Sequence, residues 1–313
     1  MRSATNLNLV LPTLGGQGLW TDHATRAGWR LQVHALTGHA RLLDTTNRRR
    51  AWGSRAAVSS ALFNQAPTAT QRPQHVVVLV HGLGGNSLTF RQMRKALRTG
   101  GYAVAEFKYA SALTQISAQA EALRTFIDGL DTDSITLVGQ SMGGLVADRV
   151  LSFGTFRDEI FHIGRTRVCG ILRIGTPCGG SAFARAIVAV AGLQTLKRTP
   201  LAAVATGLPA DAVSDRIPHL NIAGSLNGAR GLNPLIAGPD DGLVGVAEVS
   251  RGGFARTLIV NASHYGLTSN QTVIKAVLAF CAKGKTLVKP DRAALDFTSD
   301  RTENDGEVSH RGQ

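Results

Sequence analysis

Cysteine is scarce in this sequence. Cys169, Cys178 and Cys281 are the only three in 313 residues, too few and too scattered for a disulfide framework or a zinc site. They read as reduced, buried small residues, which fits a cytoplasmic protein. Aromatic residues make up only 5%, so the stacking platforms on which single-stranded nucleic acids bind are in short supply. No nucleic-acid-binding motif is present, and no nucleic-acid partner is expected. No apolar run approaches the roughly 18 residues that a spanning helix needs. Met1–Thr13 carries one arginine and a short apolar patch but no small-residue cleavage site, so it does not read as a secretory signal. Acidic charge is also lacking: 34 Lys and Arg face 21 Asp and Glu, a net charge of +13. Such an excess suits a generally basic surface or peripheral contact with an anionic membrane.

The imbalance is sharpest at the start. Residues 1–74 hold nine arginines against two aspartates, including the run Arg48-Arg49-Arg50, together with Trp20, Trp29 and Trp52. Gln65–Gln74 is rich in Pro, Thr and Gln and reads as a linker. Between the two, Gly28–Asp44 shows some strand alternation. Residues 1–74 are therefore expected to form a basic segment ending in a linker, 75–283 a catalytic domain and 284–313 a polar, charged, disordered tail.

From His75 onward the pattern becomes regular. His75–Val80, Tyr102–Tyr109, Ser134–Gly139, Val168–Gly175, His219–Ala223 and Thr257–Asn261 read as strands. Helical spacing falls between them, as in Ala118, Ala122, Phe126 and Leu130, and in a last helix over Thr268–Cys281. Strands alternating with helices predict an α/β fold, with a mostly parallel sheet covered on both faces.

The strongest local signal is Gly139-Gln140-Ser141-Met142-Gly143, preceded by an apolar strand and followed by a helical pattern. A serine at such a strand–helix turn stands at the tip of a strained loop, and glycines on either side remove side chains that would clash there. The helix start behind Ser141 offers unpaired N–H groups to a developing oxyanion. Upstream, the strand Val76–Val80 opens into His81-Gly82-Leu83-Gly84-Gly85. The Leu83 N–H there is placed to join that of Met142, and His81 reads as a loop-shaping residue. A phosphate-binding loop would need a G-K-[ST] ending or G-x-G-x-x-G, and neither is present. A serine nucleophile needs a base. His264 follows the final strand and precedes the last helix, a position that His162 and His219 lack. The acid that fixes the imidazole tautomer is Asp241 or Asp240, with Glu248 a distant third; the Asp-Gly turn favours Asp241.

These residues resemble the α/β-hydrolase superfamily, in particular its bacterial lipase and esterase-like group. Four blocks carry the resemblance: His81–Gly85, Gly139–Gly144, Gly175–Ser181 ("GTPCGGS"), and the pair Asp241–Val244 with His264. It spans about 75–282. It implies Ser141, Asp241 and His264 as a catalytic triad, Leu83 and Met142 as oxyanion donors, and a small-molecule or lipid ester as substrate. No cofactor is implied. Acyl transfer or thioester cleavage would reuse the same triad, and a non-catalytic binding protein on this scaffold is the alternative from another class. Gln140 stands where these lipases commonly have His. Tyr265-Gly266 follows the base where calcium-binding relatives carry Asp, so no structural calcium is expected. The Ala/Val/Leu-rich stretch Ala182–Leu208 falls where the group places a helical lid, or is an ordinary buried helix pair.

Overall fold

The computed structural model describes residues 11–13, 18–68, 72–190, 199–207, 216–250 and 257–286. The charged tail expected from Gly284 lies outside the described residues, apart from its first three positions, which complete the last helix. Residues 69–71 of the expected linker also lie outside them.

The chain opens with an antiparallel sheet that the sequence signals only in part. β1 (Leu11–Pro12), β2 (Trp20–Arg26), β3 (Trp29–His34), β4 (Ala40–Leu43) and β5 (Arg48–Gly53) pair in the order β1-β5-β4-β3-β2. Only β3 and β4 fall within the alternating stretch. A helix, α1 (Arg55–Gln65), packs Val58 and Leu62 on Leu31, Ala40, Leu42 and Ala51, giving this sheet a core of its own. Ser54 caps it by accepting the Ala57 N–H at 3.3 Å.

Much of the arginine excess is used inside this sheet. Arg41 donates to Gln32 Oε1 from Nε and Nη2 at 3.0 and 2.9 Å, and its guanidinium lies 4.0 Å from the Trp20 ring centroid. Arg50 pairs with Asp44 at 2.7 Å and faces Trp29, and Arg49 faces Trp52. Arginine suits these places because its planar cation stacks on aromatic faces while its fork of donors bonds sideways.

The second sheet matches the expected pattern. β6 (His75–Val80), β7 (Ala103–Phe107), β8 (Ser134–Gln140), β11 (Thr166–Ile174), β12 (His219–Gly224) and β13 (Thr257–Val260) lie in the order β7-β6-β8-β11-β12-β13, each parallel to its neighbours. A hairpin of β9 (Thr155–Arg157) and β10 (Ile160–Ile163) extends it antiparallel from the start of β11.

β6 is apolar from Val76 to Val80 because both of its faces are buried. Val76, Val78 and Val80 face α3 (Ile116–Asp128) and α4 (Met142–Val150), where Leu123, Phe126, Leu145 and Val146 meet them. Val77 and Leu79 face the other way, toward α2 (Arg91–Thr99) and the last helix, α8 (Gln271–Thr286), with Met93, Leu97, Val273 and Val277. Two short helices, α5 (Ala182–Val190) and α6 (Pro200–Thr206), occupy the described part of the Ala-rich stretch, and α7 (Val246–Ser250) follows β12. Among the described residues no helix is long and apolar enough to cross a membrane.

Candidate active site

In a parallel sheet, the loops beyond the carboxyl ends of the strands form a common crevice where ligands bind. Leu83, Ser141 and His264 line a cleft there, with Asp241 against His264. Ser141 sits between β8 and α4 with φ 53° and ψ −128°, a conformation that non-glycine residues rarely adopt. Its neighbours explain how the chain sustains it. A Cβ on Gly143 would lie 2.1 Å from the Val80 carbonyl oxygen, and one on Gly139 would lie 2.4 Å from the Gly144 Cα. Only glycine lets α4 start this close to β6 and turn back on β8.

The loop after β12 carries two adjacent aspartates, and their side chains have different partners. Asp241 Oδ2 lies 2.7 Å from His264 Nδ1, while its Oδ1 accepts the N–H groups of Leu243 at 3.0 Å and Val244 at 2.8 Å. A carboxylate only accepts, so His264 Nδ1 carries the proton and Nε2 presents its lone pair. The main chain reinforces the pair, the His264 N–H donating to the Asp241 carbonyl at 2.9 Å. Asp240 points elsewhere. Its carboxylate gathers the N–H groups of Leu232 at 2.8 Å, Asn233 at 3.2 Å and Gly242 at 2.7 Å, and is fully buried. Both of its oxygens are engaged by donors, so Asp240→Asn must set an amide N–H₂ against a backbone N–H. That substitution is expected to lower stability by about 1–3 kcal/mol while changing turnover little, as thermal unfolding and initial rates will read.

Glu248, the third carboxylate considered, belongs to neither group. It accepts the Gly245 N–H at 2.8 Å and the Ala182 N–H at the start of α5. His162 and His219 lie in β10 and at the opening of β12, each bonded to a nearby backbone carbonyl and away from the cleft. His81 is buried, its ring stacked on Tyr109 with centroids 4.4 Å apart and its Nδ1 2.8 Å from the Gly82 carbonyl. Burial pushes its imidazole below the usual histidine range, which leaves it neutral.

Ser141 and His264 line one cleft of about 780 Å³. Its walls include Leu83, Leu88, Phe183, Ile187, Leu201 and Val204. At the Ser141 end, the N–H groups of Leu83 and Met142 have no hydrogen-bond partner among the described residues. The "GTPCGGS" block runs behind His264: a Cβ on Gly175 would stand 3.2 Å from its ring.

Gln140, which stands where the resembled lipases commonly have His, links two parts of the site. Its Oε1 accepts the Gly82 N–H at 3.0 Å, which orients the amide so that Nε2 faces His264 Nε2 at 3.4 Å. One buried side chain thus links the glycine-rich loop to the imidazole. The x position of a G-x-S-x-G motif carries no sequence signal for this, because the partners lie in distant loops.

Comparison with known proteins agrees with this architecture. A family model described as "Alpha/beta hydrolase family" matches residues 77–276, more than half of the chain. No curated protein matches the sequence. Among solved structures, the chain is similar to a mature-form lipase from Bacillus licheniformis at 17% identity and a TM-score of 0.46, over 71% of this chain and 94% of the other. A structure from a study of carboxylesterases of the thaumarchaeon Nitrososphaera gargenis aligns at 14% identity and 0.47, over 70% and 94% of the two chains. Methylketone synthase I of tomato aligns at 12% and 0.42, over 67% and 98%. With a matching family model across the sheet and its helices, the chain belongs to the alpha/beta hydrolase family.

Proposed function

We propose that the protein is a serine hydrolase that cleaves carboxylic esters, with Ser141 as nucleophile, His264 as base and Asp241 as acid. The observation that supports this best is a convergence in one cleft. A serine in a strained strand–helix turn shares it with an imidazole whose Nδ1–H is tied at 2.7 Å to a buried carboxylate. Ser141 Oγ attacks the ester carbonyl carbon while its proton passes to His264 Nε2, and Asp241 keeps its charge beside the imidazolium. The carbonyl oxygen, now negative, takes the N–H groups of Leu83 and Met142. Collapse breaks the bond to the alkoxy oxygen, which collects the proton and leaves as alcohol. Water then attacks the acyl-enzyme through the same base and releases the acid.

The apolar walls suit an acyl chain, and α5 with α6 forms a helical cover on that side of the cleft. Two measurements test the reading. A fluorophosphonate probe should label the protein, and labelling should vanish in Ser141→Ala. Turnover of p-nitrophenyl esters of increasing acyl length, with and without micelles, separates a lipase from an esterase. Absence of both labelling and ester turnover in the full chain would sink the proposal.

This chemistry needs no metal. Among the described residues no group of three or more His, Cys, Asp and Glu could hold one. EDTA is therefore expected to leave both initial rate and melting temperature unchanged. A fall in either that calcium restores would mean that the protein holds a calcium ion.

A further inference from the structure

Asp22, in the middle of β2, is a fully buried carboxylate that the proposed chemistry does not use. It lies in the antiparallel sheet, outside the span matched by the family model, yet it reaches the catalytic unit. Its N–H donates to the Lys108 carbonyl at 2.8 Å, and the Lys108 N–H donates back to its Oδ2 at 3.0 Å. The other oxygen, Oδ1, accepts from Gln32 Nε2 at 2.7 Å and from Arg30 Nη1 at 3.4 Å, both on β3. Beside it, the buried Thr21 Oγ1 accepts the Ala110 N–H at 3.1 Å. The sheet therefore holds residues 108–110, just past β7, by three hydrogen bonds.

The far side of the same segment holds the glycine-rich loop. The Tyr109 hydroxyl donates to the His81 carbonyl, the Tyr109 ring stacks on His81, and Ser111 Oγ accepts the Gly84 N–H at 3.0 Å. Gly82 is pinned from the other direction by Gln140. Leu83, whose N–H faces no partner among the described residues, thus lies between two fixed neighbours. One of them is fixed by a strip of chain that the N-terminal sheet clamps.

We infer that the N-terminal sheet is a positioning element of the catalytic site, acting through Thr21 and Asp22 on residues 108–111 and through them on the Leu83 N–H. The inference rests on the oxyanion role proposed for Leu83. A donor aimed at an oxyanion contributes only when charge develops there, so loosening the clamp lowers kcat and leaves KM in place.

A matched pair of substitutions on β2 tests it. Thr21→Val removes the acceptor for Ala110 while keeping the shape. Thr25→Val removes a hydroxyl of equal size four residues along, where Thr25 Oγ1 serves, among the described residues, only the Trp29 carbonyl of its own sheet at 2.8 Å. With wild type active on a p-nitrophenyl ester, Thr21→Val is expected to lower kcat roughly tenfold, part of the ~10²-fold that a misplacement of 1 Å can cost. KM should stay constant, and affinity for a trifluoromethyl ketone that mimics the tetrahedral adduct should fall in parallel. Thr25→Val should stay within twofold on all three measures.

Equal kcat for Thr21→Val and wild type, or equal losses in both variants, would overturn the inference. Should Thr21→Val fail to fold, Asp22→Asn is read the same way: a fall in kcat at constant KM supports the clamp, and unchanged kcat refutes it. An inactive, unlabelled wild type is a separate result, which removes the ester-hydrolase proposal itself.

Discussion

Replacing Ser141 by alanine is expected to lower kcat for ester hydrolysis on the order of 10⁶-fold and to leave the melting temperature near that of the wild type. The side chain removed is one hydroxyl at a turn, so no packing is lost. The positive φ that Ser141 holds is no harder for alanine than for serine. What disappears is the only atom in the scheme that can form the acyl-enzyme. Residual turnover of roughly 10³ over water is expected to persist, because the oxyanion donors proposed here, the Leu83 and Met142 N–H groups, are untouched by the substitution. Steady-state rates and fluorophosphonate labelling on the same preparation check this. A Ser141→Ala protein that keeps ester turnover within tenfold of wild type means the nucleophile lies elsewhere.

For Asp241→Asn the expected loss in kcat is about 10⁴-fold, and the geometry says why the amide lands the wrong way round. Asp241 Oδ1 accepts two backbone N–H groups, from Leu243 and Val244. An asparagine keeps its oxygen there, which turns its N–H₂ toward His264 Nδ1. The imidazole must then offer a lone pair at Nδ1 and carry its proton on Nε2, where it cannot accept one from serine. Because the loop's own hydrogen bonds survive, the melting temperature should hardly move. Asp240→Asn should give the reverse profile, with stability lost and rate kept. If the two profiles are interchanged, the acid is Asp240.

The parallel sheet was legible because a strand buried on both faces is written as an unbroken apolar run, as in Val76–Val80, and its helices as a 3.6-residue rhythm. The strained serine was legible because close approach of α4 to β6 demands glycine at fixed offsets. The antiparallel sheet was legible only at β3 and β4. Its strands carry Asp22, Gln32 and Arg41 on buried positions, and bulges between Asp22 and Ala24 and between Leu42 and Leu43 interrupt the two-residue alternation. Arginine there reads as surface charge, whereas it lies against tryptophan rings. The β9–β10 hairpin was missed for a similar reason: strands of three and four residues are too short to show a period. The division of labour between Asp240 and Asp241 depends on which way each side chain leaves one tight turn, and a sequence of two identical residues carries that only through the glycine that follows.

All three tryptophans of the chain, Trp20, Trp29 and Trp52, stand in the antiparallel sheet, each facing an arginine. Indole emission shifts with its surroundings, so the intrinsic fluorescence of this protein is a local gauge of that sheet and nearly blind to the cleft. Followed beside ester turnover on a heating ramp, it puts the loosening of one unit and the loss of catalysis on a common temperature axis. A sheet that holds the oxyanion donor in place makes the two curves fall together. A sheet that merely rides on the enzyme lets the emission change while turnover continues.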